Sequence, residues 1–416
     1  MQLFYVKNSV TLQLPHKQCV LTAPSHEALA SQQIPIANVY CGNIGWEVIH
    51  ANTTVGEESA VVVPINPEIQ RILPPAINPW SAGHDLVTQV QSMMRHRPEE
   101  KRHAPIKLAL LNGVGTMLGD TLVGSSAMEI AFRRLTEAIG PVEVHAILAW
   151  NARPGAENIM ARCPAFSHVQ GHSIRLEQLC GYDSYWDFSS LLQMEGYNSV
   201  PLVDFYLSNL GIDPNSVDSA EKSPVLRIPT ALLSEAKSIL NKRSNGRSVV
   251  LIQGLASTPL RSMPDGFFAR LIDDVLSGTE ASVLLTQPLP AGLPNVLPDR
   301  IIHLEDWCRA STDHYLALVV AANAVISVDS LAIHAAMAAR TPGVVIFTTL
   351  SPELRLAYAP QLTGVLIPGA AALSTWGKHK TDDCWPNEQS AYNQAWEALN
   401  RGAVVNRLSE LLQGTS

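Results

Sequence analysis

Charge is scarce in this sequence. Only 16% of its 416 residues are charged and 6% are aromatic, whereas 46% are hydrophobic. A chain so apolar is not disordered and has ample material for a buried core. Basic residues are in deficit, with 29 Lys+Arg against 37 Asp+Glu and a net charge of −8. General nucleic-acid affinity comes largely from neutralising phosphates, so no nucleic-acid partner is expected, although a local basic cleft stays compatible. No run of roughly 18 apolar residues occurs, which leaves at most peripheral membrane contact. The opening MQLFYVKNSVTLQLPHKQ has no basic region followed by an apolar core, so no signal peptide is read and a cytoplasmic location is expected. Of Cys19, Cys41, Cys163, Cys180, Cys308 and Cys384, no two have zinc or iron–sulfur spacing. Scattered thiols fit a reducing compartment, and no Asp-x-Asp pair suggests a metal.

What is present is strand–loop–helix rhythm. Residues 1 to about 80 alternate short β-rich runs, such as Val10–Leu14 and Ala60–Pro64, with turn prolines. They read as a small β-rich module. A helix is predicted at His84–Arg95, and the charged stretch Arg95–Lys107 reads as a linker. From Lys107 an apolar run (KLALLN) enters a glycine loop. A helix over about Thr121–Ile139 and a strand over Glu143–Ala149 follow, which is a βαβ unit with parallel pairing. A helix around Val200–Leu210 lies in the less regular region that comes next. Another helix falls within 225–245, with Thr230 or Ser234 as its expected cap. The rhythm then restarts with strands at Ser248–Gln253, Ser282–Thr286, Ala324–Val328 and Gly343–Thr348 and helices at Asp265–Leu276, Asp313–Ala322 and Leu331–Arg340. One last helix is expected over about Glu388–Leu412. The predicted class is α/β with two Rossmann-like, doubly wound domains facing a cleft, plus the small β-rich module. The boundaries are 1–104 for module and linker, 105–225 for the first such domain and 226–416 for the second.

Ligand loops of doubly wound sheets lie at the C-terminal ends of the strands, and three loops qualify. Asn112–Asp120 (NGVGTMLGD) carries three glycines, including Gly115 and Gly119, which let a backbone approach a ligand closely. No Lys-Ser/Thr pair follows, so it is not a Walker loop. Asp120 at the helix start reads first as an N-cap, and a capped carboxylate can still take a proton. Gln253–Pro264 offers the Ser257 and Thr258 hydroxyls and Arg261, which is either a solvated side chain or a partner for phosphate oxygens. Val328–His334 (VDSLAIH) places Asp329 and Ser330 at a strand-to-helix turn, with Ser330 a candidate cap beside anion-binding amides. His334, one helical turn on, is either a core histidine or a side chain facing the same loop.

The order of these loops resembles the bacterial heptosyltransferases, glycosyltransferase family 9, which have the two-domain GT-B fold. Gly119-Asp120-Thr121-Leu122 after KLALLN is similar to the family's Gly-Asp-hydrophobic-Leu opening. Ser257, Arg261-Ser262-Met263-Pro264 and Phe268 resemble its basic loop. Asp329-Ser330-Leu331-Ala332-Ile333-His334, with the following Thr341-Pro342 and Ser351-Pro352-Glu353, resembles its Asp-Ser/Thr-Gly-x-x-His signature. The resemblance covers roughly 105–412. It implies Asp120 as general base, with Gly115, Gly119 and Thr121 on the acceptor side. It also implies a donor diphosphate and sugar site from Ser257, Arg261, Asp329, Ser330, Leu331 and His334. Leu331 stands where the family has Gly, Arg261 where Lys is usual and Met263 where Trp is usual. The Thr286–Pro290 loop lacks an acidic residue for a ribose.

The resemblance implies an inverting, metal-independent glycosyltransferase without a resident cofactor. Its donor would be a nucleoside-diphosphate sugar such as ADP-heptose, and its acceptor a glycan, lipopolysaccharide or protein. The N-terminal module would serve acceptor binding or homo-oligomerisation. The alternatives are a sugar-nucleotide epimerase or hydrolase on the same fold, and a non-catalytic nucleotide-sugar-binding or assembly protein.

Overall fold

The computed structural model describes residues 74–77, 85–149, 152–171, 176–188, 196–293, 298–373, 375–377 and 385–414, together with the backbone of five short strands before residue 63. Those are β1 (Gln13–Leu14), β2 (Lys17–Gln18), β3 (Ile36–Gly42), β4 (Gly45–His50) and β5 (Ala60–Val62), paired antiparallel as β1-β2 and β3-β4-β5. Among the described residues, no helix is long and apolar enough to cross a membrane. The chain divides into two compact units. The first comprises Met1–Met194 and Tyr206–Val217, the second Glu195–Phe205 and Asp218–Ser416.

The first unit holds a four-stranded parallel sheet of β6 (Ile106–Asn112), β7 (Val142–Leu148), β8 (His168–Gln170) and β9 (Ser184–Asp187), in the order β8-β7-β6-β9. Leu108, Ala109 and Leu110 on the central strand are fully buried. An apolar run without alternation is what a strand covered on both faces requires. The helix Leu118–Ile139 returns the chain from β6 to β7, starting three residues before its predicted position. Its cap position is Met117, not Asp120, which lies in the first turn.

The segment Arg95–Lys107 is not a solvated linker. Arg97 is buried, and its guanidinium bonds both Asp183 carboxylate oxygens at 2.9 and 3.0 Å and the carbonyls of Ala104 and Pro105. The preceding helix Leu86–Met94 buries Leu86 and Val90, and the Leu86 amide donates to Gly211 O.

The second unit holds six parallel strands. They are β10 (Val249–Gln253), β11 (Ser282–Leu285), β12 (Ile301–His303), β13 (Ala324–Val328), β14 (Gly343–Phe347) and β15 (Leu362–Leu366). The order β12-β11-β10-β13-β14-β15 is a doubly wound 3-2-1-4-5-6 arrangement. Winding reverses between β10 and β13, so the connections leaving those strands diverge and open a crevice at their C-terminal ends. Every residue of β10, β13 and β14 is buried.

Two sequence expectations change here. The helix Thr230–Ser244 has Pro229 at its cap position without a side-chain cap, so neither Thr230 nor Ser234 plays that part. The single final helix is two, Trp385–Ala398 and Arg401–Gln413. Asn400 ends the register and caps the second helix by accepting the Ala403 amide at 3.1 Å.

Candidate functional site

In the second unit, three connections leave neighbouring interior strands, β10, β13 and β14, at the C-terminal end of the sheet. The loop after β10 is shaped first by its glutamines. The Gln287 side-chain oxygen accepts the amides of Gly254 and Leu255 at 2.9 and 3.0 Å, and Gln253 Nε2 donates to Leu255 O at 2.8 Å. Gln287 belongs to the Thr286–Pro290 loop that lacks a carboxylate, and it serves here as a backbone clamp. The clamp leads into a short turn, Pro259–Arg261.

Arg261 is not a solvated side chain. One guanidinium nitrogen, Nη1, lies 3.2 Å from Asp329 Oδ2, Nη2 donates to the Ser257 hydroxyl, and Nε approaches Thr258 Oγ1 at 3.4 Å. The two loops flanking the winding reversal are thus joined by an ion pair. Asp329 is buried. Burial pushes its carboxyl upward, but the charges of Arg261 and Arg355, with the Arg261 hydrogen bond, hold it below the usual carboxylate range.

Ser330 is the cap of the helix Leu331–Ala339, as expected, accepting from Ala332 N at 3.3 Å. Its hydroxyl is also 3.1 Å from that of Ser327. Leu331 is the first helical residue and is half-buried. His334 is 5% exposed, and its Nδ1 has no hydrogen-bond partner. Burial lowers its pKa to about 4, with Asp329 pulling upward and Arg355 and Arg261 adding to the fall. At neutral pH it is an uncharged imidazole with an idle ring nitrogen beside two cations.

Arg355 was not evident from sequence. It lies in the short helix Glu353–Leu356 after β14, is buried, and sits with its guanidinium 5.8 Å from the Tyr197 ring centre. The only sequence signal is its place two residues after the Ser351-Pro352-Glu353 stretch. Nearby, Lys222 bonds Tyr358 Oη and Asp204 at 2.9 Å each, and Tyr358 donates to Asp204 at 2.7 Å.

The first unit carries the glycine loop at the matching end of β6. Asn112, Gly113 and Gly115 have φ of 66°, 61° and 125°. These left-handed conformations are least costly for glycine and asparagine. Asn112 Nδ2 reaches Asp187 Oδ1 on β9 at 3.3 Å. Gly124 lets the helix press on this loop, since a Cβ there would stand 2.6 Å from Val114 Cβ and 2.9 Å from Val114 O. Asp120 is 8% exposed in the first helical turn, where a carboxylate is favoured by the positive end of the helix. Gly119 precedes it, half-buried. Thr121 is fully buried and donates its hydroxyl to Met117 O at 3.0 Å, closing the turn inward.

Among the described residues, no group of three His, Cys, Asp or Glu side chains is placed to hold a metal ion. Two surface cavities lie away from these loops, one of about 480 Å³ against Arg243 and Trp307, the other of about 610 Å³ against Asp274 and Arg401.

No protein-family model matches the chain, and no curated protein matches it in sequence. Solved structures do match. The E. coli ADP-heptose lipopolysaccharide heptosyltransferase II aligns with a TM-score of 0.54 at 14% identity, over 74% of this chain and 99% of its own. The fold is heptosyltransferase-like. A glycosyl transferase family 9 structure from Veillonella parvula aligns with a TM-score of 0.50 at 10% identity, over 74% of this chain and 98% of its own. The α/β architecture with two parallel sheets expected from the sequence is the one observed. The three loops singled out all occupy C-terminal ends of strands in this heptosyltransferase-like fold, where open α/β sheets bind ligands.

Proposed function

We propose that the chain is a glycosyltransferase. It moves a sugar, heptose by family default, from a nucleoside diphosphate to a glycan or lipopolysaccharide-type acceptor, inverting the anomeric centre without a metal. The observation that carries the reading is the gathering of Arg261, Asp329, Ser330 and His334 at the winding reversal of the second sheet, on a heptosyltransferase-like fold.

In this reading the second unit holds the donor. Arg261, the Ser257 hydroxyl and the amides at the start of the Leu331–Ala339 helix receive the diphosphate. Leu331 and His334 line the sugar-phosphate side, and Asp329 keeps Arg261 aimed. The first unit supplies Asp120 as general base, on a loop whose Gly115 and Gly119 leave room for the acceptor. Asp120 takes the proton of the acceptor hydroxyl as that oxygen bonds to the anomeric carbon. The bond from that carbon to the diphosphate oxygen breaks, and the nucleoside diphosphate leaves with the electron pair. Fixed cations and amides stabilise the charge it gains without reorganising.

The test is incubation with ADP-, GDP- and UDP-sugars, with and without glycan acceptors, followed by mass spectrometry. Acceptor-dependent transfer supports the reading. Release of sugar without acceptor would instead support a hydrolase, and no turnover or binding of any donor would leave the assembly-protein reading.

A further inference from the structure

We infer that Arg355 is a second cation of the phosphoryl site and sets its selectivity for a diphosphate over a monophosphate. The inference rests on the donor-site reading above and adds a residue and a specificity to it.

A buried guanidinium carries five donors and a permanent charge, and leaving it uncompensated is expensive. Arg355 is 8% exposed. Its polar contact is the carbonyl of its own neighbour Leu354 at 3.4 Å, and its other partner is the face of Tyr197. Among the described residues, no carboxylate lies within ion-pair distance of it, while Asp329 is already engaged by Arg261. Arg261 therefore takes the Asp329 carboxylate while Arg355 has no carboxylate of its own among the described residues, and the adjoining His334 is a neutral imidazole with an unused nitrogen. Such a cluster is built for an incoming anion.

The topology says which part of the anion each cation meets. β10, β13 and β14 are neighbours in the sheet. Arg261 follows β10, the Ser330 cap follows β13, and Arg355 follows β14. Arg261 and the helix start suffice for one phosphoryl group. A second group, with its added charge, would meet the guanidinium that follows the next strand of the sheet.

Arg355 is also held in place. Tyr197 and Asp204 belong to one segment, and Arg355 and Tyr358 to another. The Tyr197–Arg355 contact and the Tyr358–Asp204–Lys222 cluster join these segments at two points. The ring face restrains the guanidinium while leaving its N–H edge available.

The experiment is calorimetric titration of the full chain, wild type, Arg355→Gln and Arg355→Lys, with inorganic pyrophosphate, inorganic phosphate and matched nucleoside di- and monophosphates. Wild type is expected to prefer pyrophosphate to phosphate by about tenfold or more, a comparison that needs no variant. Arg355→Gln should lose about tenfold for the diphosphates and about twofold or less for the monophosphates, with Arg355→Lys between. Equal affinity for phosphate and pyrophosphate in wild type overturns the inference, as does an Arg355→Gln protein that loses nothing or loses both classes alike. A wild type that binds none of the four overturns it too. Arg355-dependent binding of pyrophosphate without binding of any nucleoside diphosphate sustains it and sinks the donor-site reading.

Discussion

Arg261 and Asp329 are 68 residues apart in the chain, yet their side chains meet at 3.2 Å across the winding reversal of the second sheet. The pair makes two loops into one object, because neither charge has an equivalent partner elsewhere in its own loop. Asp329→Asn should cost roughly 3 kcal/mol of stability, the low end for breaking a buried pair, since the Arg261 side chain is 26% exposed and gains hydration. Urea unfolding of the wild type and variant measures this, and a loss within about 0.5 kcal/mol, the range of an ordinary surface substitution, would contradict it.

His334 gives the second unit a particular response to acid. Its folded pKa of about 4 lies below the ordinary 6.5, so the unfolded chain binds the proton more readily. Stability therefore falls as pH drops from about 6.5 to about 4, by on the order of 3 kcal/mol. Asp329, whose folded pKa is depressed, adds its own loss only at lower pH, as its carboxylate takes up a proton. Unfolding free energies across this range should flatten between pH 6.5 and 4 in His334→Gln, and an unchanged slope would refute the assignment.

Asp120→Asn should keep nucleotide affinity and lose turnover by about 10²-fold or more, the usual contribution of a positioned base. Stopped assays of sugar transfer alongside nucleotide titration separate the two effects. Near-normal turnover in this variant would remove the base role.

Gly124 has no space for a side chain. A methyl group would meet Val114 Cβ, Val114 O and Tyr206 Cε1 within 2.9 Å. Gly124→Ala should cost about 1–3 kcal/mol and shift the glycine loop. Thermal unfolding gives the first effect, and the catalytic efficiency of an otherwise folded variant gives the second.

Lys222→Met leaves Asp204 and Tyr358 facing each other without their cation. The Lys222 and Asp204 side chains are 6% and 14% exposed, so the expected loss is about 3–5 kcal/mol. In a double-mutant cycle with Asp204→Asn the combined loss should fall well short of the sum of the two single losses, and simple additivity would count against the cluster.

The readable parts of this chain are those where local and global demands agree. VVLIQ, AVISV and GVVIF are apolar from end to end because parallel strands are covered on both faces. Their boundaries follow from the sequence within a residue or so. The edge strands His168–Gln170, Ser184–Asp187 and Ile301–His303 are short and partly exposed, so they carry neither an apolar run nor a full alternation. Ser330 is legible as a cap because capping is local. Arg261 is legible as a cation in a loop, but its partner Asp329 comes from another strand and only the sheet order brings it near. Arg355 is illegible for the same reason, and Gln287 more so, since nothing in a glutamine's neighbours announces that its oxygen will hold the Gly254 and Leu255 amides of the loop after β10.

The grip of Arg97 on Asp183 bears on how this protein can be cut down. Trimming the chain to begin at Ile106, where the first long sheet starts, would strip a bidentate cation from a carboxylate whose Oδ2 also accepts the Lys107 amide. It would also uncover the pocket that receives Leu86. Pro75 and Ile77 also bond β9, through Ser184 and Tyr185, and Ile77 is buried, so a shortened version meant for crystallography or protease mapping should retain everything from Pro74 onward.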